Sequence, residues 1–189
     1  MSIQDDDPIP WEDGRLKISD FKGKPPQEPI QVDEEHVEDA ESVILINPIV
    51  IRTSTHKTEF KFEEVGINAL FLRKKSWIFD VDSMSYKKKA EMLIHEQGHF
   101  DMTQMFCLMA REEVEKAING KTFPIHSTTS LEIEQEKQSI VDNVFYSIVE
   151  KCRKRLKIEQ DEYEIATLHG LKPEIQAEYT ENFNSVLRN

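Results

Sequence analysis

Polar and apolar positions change their period along the chain, and the change divides it into sheet and helix. Between residues 42 and 79 the apolar positions come in short β-branched runs, Val43-Ile44-Leu45-Ile46 and Ile49-Val50-Ile51. They then alternate with polar ones through His56-Lys57-Thr58-Glu59-Phe60-Lys61-Phe62. Such runs predict strands with one buried face. Pro48 marks an edge or a bulge and Gly66 a break. A further strand begins at Ala69-Leu70-Phe71-Leu72 and heads towards Trp77. Three or four strands with short turns predict a small antiparallel or mixed sheet.

The period then lengthens. Ser83 or Ser85 caps a long helix that runs to about Ile118, and Asn119-Gly120 closes it. After a connection with Pro124, a second long helix is predicted from about Ser130 to Glu159. Its apolar stripe is Ile133, Ile140, Val141, Val144, Phe145, Ile148, Val149, Cys152 and Leu156. Residues 160–172 read as a polar loop, and Pro173 opens a short final helix through about Leu187. The fold class predicted is α+β, a small sheet packed on two long helices with a short C-terminal helix.

Composition sets the N-terminal stretch apart. Residues 1–41 carry thirteen acidic against four basic residues and five of the eight prolines. This predicts an extended or loosely ordered segment ahead of a single domain at 42–189. Within it, Arg15-Leu16-Lys17-Ile18 reads as a short edge strand anchored by Trp11. Asp33-Glu34-Glu35-His36-Val37-Glu38-Asp39 reads as a solvated linker, since an EF-hand's glycine and oxygen spacing are absent. The N-terminus lacks the basic and then apolar pattern of a signal peptide, so none is expected in the chain as it stands.

A net charge of −12 over 189 residues argues against a nucleic-acid partner. No apolar run reaches the length of a membrane span. The two cysteines, Cys107 and Cys152, are too few for a disulfide framework. They are two buried thiols or one bridge between helices.

The first helix holds the candidate chemistry, His95-Glu96-Gln97-Gly98-His99. Histidines four apart share a helix face, so both imidazoles reach one cation, with Glu96 beside them. That is the zinc-hydrolase arrangement, with His95 and His99 as ligands and Glu96 as general base for a zinc-activated water. A pattern this short arises by chance in about one chain in a hundred of this composition, so its setting decides its meaning. Met92, Met102 and Phe106 share the histidine face, which predicts a site against the core rather than in open solvent.

A catalytic zinc site takes three protein ligands. Met102 stands where the extended motif would place its glycine, so the third ligand lies elsewhere. His169, before Gly170 in the polar loop, is one candidate. Glu132, Glu134 and Glu136 form a second group, which would give a thermolysin-type arrangement. His126 and Asp101 are weaker candidates. Asp101 is also read as an acceptor for a ligand imidazole or as a partner of the N-terminal sheet or a loop.

These residues resemble a family of bacterial zinc-dependent proteases, known largely as a secreted domain. Its hallmarks are an H-E-Q-G-H-F-D helix and, much later, a Y-D-x-x-T-x-H-G loop. His95 to Asp101 match the first motif throughout. Tyr163, Thr167, His169 and Gly170 match the second, with Glu164 in the place of its Asp. Phe21-Lys22-Gly23-Lys24-Pro25-Pro26 resembles the family's N-terminal F-x-G-x-P-P segment, and Gln176 falls where a glutamine commonly follows the loop.

The resemblance implies a zincin-like domain with His95, His99 and His169 as zinc ligands. It also implies a peptide or protein substrate and a secreted or periplasmic location, against which a cytoplasmic one stays open. Tyr163, close to His169 in sequence, is either a donor to the oxyanion or a residue that packs the loop. Two other functions remain: an amidase acting on cell-wall material, and a non-catalytic zinc-binding or envelope-associated module. Oligomeric state is not legible.

Overall fold

A computed structural model of the chain describes residues 3–28, 30–31, 37, 39–56 and 58–188. Its strands are β1 (Pro8–Pro10), β2 (Ala40–Glu41), β3 (Ile44–His56), β4 (Glu59–Leu72), β5 (Trp77–Ile78) and β6 (Phe123–Pro124). Its α-helices are α1 (Tyr86–Ile118), α2 (Ser130–Ile140), α3 (Ser147–Thr167) and α4 (Pro173–Leu187). The architecture is α+β with antiparallel sheets and long helices.

The runs at 43–51 and 56–72 are not four short strands. They merge into one long hairpin, β3 against β4, registered from Ile44 opposite Phe71 to His56 opposite Glu59. Pro48 is accommodated because β3 is an edge strand. Gly66 does not break β4; it lies opposite Ile49, with Ile51 reaching over it. The register slips around Arg52, and that irregularity bends the far half of the hairpin. The other edge of β4 takes β1 at one end and β6 at the other. Trp77 belongs to a separate pair, β2 with β5.

Phe60, Phe62, Ile67, Ala69 and Phe71 of β4 are buried in one core with Phe100, Phe106, Cys107, Ala110 and Val114 of α1 and Val149, Cys152 and Leu156 of α3. Cys107 and Cys152 are both free thiols, which removes the bridge between helices.

The N-terminal segment is stitched to this core. Leu16 is buried in it, β1 extends the main sheet, and Lys22 N donates to Arg73 O. The expected strand at Arg15–Ile18 is absent: Ile18–Asp20 is a single 3-10 turn, closed where Lys17 N donates to Asp20 Oδ2. Most of the acidic run at 33–39 lies outside the described residues.

Helix α1 starts where Ser85 Oγ accepts from Lys88 N, one of the two predicted caps. At 33 residues it is about 50 Å long. The second helical stretch runs further than its composition suggests. From α2 the chain passes through one wide π turn at Val141–Tyr146 and continues as α3 to Thr167. Residues 160–167 are therefore helix, not loop. No proline or glycine interrupts them, and buried Tyr163 and Thr167 continue the stripe of Val149, Cys152 and Leu156. The acidic residues between them made that turn look like a loop. Its helical form carries Glu164 onto the face of α1 that bears the motif.

Among the described residues, no helix is long and apolar enough to cross a membrane.

Candidate metal centre

The one-turn spacing of His95 and His99 on α1 brings their Nε2 atoms to 3.3 Å from each other. Glu164, from α3, meets both. Its Oε1 is 2.8 Å from His99 Nε2, and its Oε2 is 3.3 Å from His95 Nε2. One ligating atom from each of the three side chains falls within 4.8 Å of the other two. Among the described residues this is the only group of three or more such side chains placed to hold a metal ion.

The donors fit a cation. Two imidazole nitrogens and a carboxylate turn lone pairs into one space, and zinc binds that set readily. Glu164 Oε2 is buried without a hydrogen bond of acceptable geometry, even though His169 Nδ1 lies 2.9 Å from it. Buried carboxylate oxygens are normally satisfied, so this atom calls for a positive partner. Charge points the same way. Burial works against ionised Glu164, yet the His95 and His99 imidazoles beside it hold its carboxyl well below the usual range. Burial also works against a charged His95, but the adjacent Glu164 and Glu96 carboxylates raise its pKa. The cluster draws in positive charge, and a divalent ion would replace the protons shared among these groups.

His169 is close but outside the group of three. It follows the last turn of α3, where Leu168 (φ 48°), His169 (φ 52°) and Gly170 (φ 81°) are all left-handed. Leu168 and His169 are strained there, because a Cβ crowds that region. The turn is held by His169 N donating to Glu164 O and Lys172 N donating to Thr167 O. It leaves His169 half-exposed with Nδ1 on Glu164 Oε2. A Cβ at Gly170 would lie 3.0 Å from His95 Cβ, so only glycine lets the turn close on His95.

Tyr163 lies in the core, not in the cleft. Its ring stacks on His95 at 5.0 Å between centroids and 8° between planes. Its hydroxyl meets His95 O at 3.1 Å and Gln176 Oε1 at 2.8 Å. Burial pushes its phenol pKa upward. These contacts make it a packing and hydrogen-bonding partner of His95.

The remaining motif residues tie the helix to the rest of the chain. Gln97 Oε1 accepts from Leu16 N, and its Nε2 donates to Asp101 Oδ1. Phe100 packs beside Phe71. Asp101 receives Trp11 Nε1 and both terminal nitrogens of Arg188, whose guanidinium also lies over the Trp11 ring. Of the two readings open for Asp101, the structure shows the N-terminal one, with the C-terminus added. The carboxylates of α2 are used elsewhere: Glu136 accepts from His126 N and Ser127 N, and Glu132 from Thr129.

His95, Glu96, His99, Glu164, His169 and Gly170 line a cleft of about 710 Å³. Asp39 to Ser42, including β2, line it too, as do Lys88 and Lys157, which are paired with Asp39 and Asp161. In the sequence Glu164 stands only as a replacement for the motif's Asp, and Gly98 as a motif position without a role of its own. The continuing stripe through Tyr163 and Thr167 was the available signal for the first. A glycine inside a helix, which costs about 1 kcal/mol and so needs a reason, was the signal for the second.

Comparison of the chain with protein-family models, with curated proteins and with solved structures gives no match.

Proposed function

We propose that this chain is a zinc-dependent hydrolase acting on peptide bonds, with His95, His99 and Glu164 as ligands and Glu96 as general base. The observation that carries the proposal is the meeting of His95, His99 and Glu164 in the wall of a cleft that Glu96 also lines. Glu164 takes the third-ligand role that the family resemblance gave to His169. His169 is then the partner of Glu164 Oε2. The resemblance of both histidine motifs, with a sheet beside the motif helix, supports a zincin-like reading and brings a secreted or periplasmic setting with it.

Bound zinc would polarise a carbonyl and make water acidic enough to lose a proton near neutral pH. The chain's own groups do the rest. Glu96 accepts the proton of the attacking water and passes it to the leaving amine. Glu164 and the two imidazoles supply the negative charge and lone pairs that keep the cation in place. In the same cleft, β2 offers backbone for pairing with an extended peptide, since β5 occupies one of its edges.

One observation favours a second reading. His169 Nδ1 stands close enough to Glu164 to act as a fourth donor, and a closed four-donor site would be a non-catalytic zinc module. Elemental analysis and one variant separate the two. The hydrolase reading expects one zinc per chain, and a peptidase activity that Glu96→Gln lowers about 10²- to 10⁴-fold while zinc content stays the same. Folded protein that takes up no zinc would overturn both readings. Full zinc without hydrolysis of any peptide or amide in a broad library leaves the closed site.

A further inference from the structure

We infer that Gln176 is a positioning residue that fixes which ring nitrogen of His95 faces the metal. This inference rests on the metal-site reading above and extends it to α4. Gln176 is buried, from the first turn of α4, and reaches the rear of the His95 ring. Its Oε1 lies 3.2 Å from His95 Nδ1, which must be the donor because an amide oxygen only accepts. With the proton on Nδ1, the neutral ring keeps its lone pair on Nε2, the atom that faces His99 and Glu164.

The amide is itself oriented. Gln176 Nε2 donates to Tyr163 Oη at 2.6 Å, while Oε1 is the amide atom beside His95 Nδ1. The single Tyr163 hydroxyl proton serves His95 O and Gln176 Oε1 between them. Three buried groups, His95, Tyr163 and Gln176, thus share one hydrogen-bonded circuit. Partners of this kind on a ligand imidazole set its tautomer and its basicity, and their loss weakens metal binding about 10- to 100-fold. The circuit depends on Gly98, because a Cβ there would lie 2.7 Å from Tyr163 Cζ and closer still to its hydroxyl.

The test uses the full chain with two substitutions. Gln176→Met keeps the length of the side chain and removes the acceptor. Gln176→Glu keeps an acceptor at the same reach. Zinc affinity is read by competition with a chromophoric chelator. The Nδ1–H of His95 is read by nitrogen-15 NMR of the imidazoles in metal-free protein above the His95 pKa. The expected result is a 10- to 100-fold loss of zinc affinity in Gln176→Met together with loss of the Nδ1–H signature, and near-wild-type values for both in Gln176→Glu. Gln176→Met with wild-type affinity and an intact Nδ1–H would overturn the inference. So would equal losses in both variants, which would mark a packing role. If the wild-type chain binds no zinc, the function proposal falls, and the Nδ1–H readout alone decides the role of Gln176.

Discussion

Gly98 and Tyr163 compete for one space: the tyrosine hydroxyl sits where a side chain at position 98 would begin. Alanine in place of glycine inside an exposed helix normally stabilises by about 1 kcal/mol. Here the sign reverses. Gly98→Ala must displace Tyr163, whose ring is fully buried against His95, Tyr179 and Phe183. Overpacking of that kind costs about 1–3 kcal/mol. Chemical denaturation should show a lower midpoint for Gly98→Ala, and Gly98→Ala with Tyr163→Phe should regain part of the loss. A stabilised single variant would mean that Tyr163 does not approach α1 as described.

The extent to which the sequence disclosed this arrangement follows from the range of each interaction. The two histidines and Glu96 lie within five residues, so helix geometry alone brings them together. The α1 cap at Ser85 and the helix start at Pro173 are equally local. Glu164 is 65 residues from His99, and its meeting with α1 depends on α3 staying helical for two more turns than its acidic residues suggest. The sheet shows the same limit. Its β-branched content was plain, but whether Pro48 and Gly66 interrupt strands or lie within them depends on what sits across the hairpin.

Asp101 should matter to the fold rather than to the metal. It is buried, and it holds Trp11 and Arg188, residues near opposite ends of the chain. Removing one member of a buried charged pair costs about 3–5 kcal/mol, and the partial exposure of Arg188 places this pair at the lower end. Asp101→Ala should lower stability by about 3 kcal/mol in denaturant titration while zinc affinity stays within about threefold. A large fall in zinc affinity at intact stability would restore Asp101 as support for a ligand.

Cys107 should be silent to thiol reagents in the native state. Burial pushes its pKa up to about 12, from a reference value of 9.0. Only the thiolate reacts, so native protein at pH 8 should label negligibly at Cys107, and denatured protein should label at both cysteines. The linkage has a definite sign. The folded pKa lies above the unfolded one, so the thiol's contribution to stability is complete below about pH 9 and is lost between pH 9 and 12. Cys107→Ala should therefore show a smaller fall in stability than wild type across that interval. Rapid native labelling of Cys107 at pH 8 would contradict its burial.

Glu164 and His169 can be ranked by metal affinity. If Glu164 is the third ligand, Glu164→Gln removes the only anionic donor among the three. Zinc affinity should then fall by about 100-fold or more, beyond the range for groups that only support a ligand. His169→Ala removes the imidazole that lies 2.9 Å from the carboxylate and relieves a left-handed histidine, so the loss should be about 10-fold. His126→Ala should have no effect, because the structure joins position 126 to Glu136 through its backbone N–H. The three affinities, measured by chelator competition at one pH, give the order directly. A loss in His169→Ala that exceeds the loss in Glu164→Gln would return the third-ligand role to His169. Glu164 would then be the group that orients it.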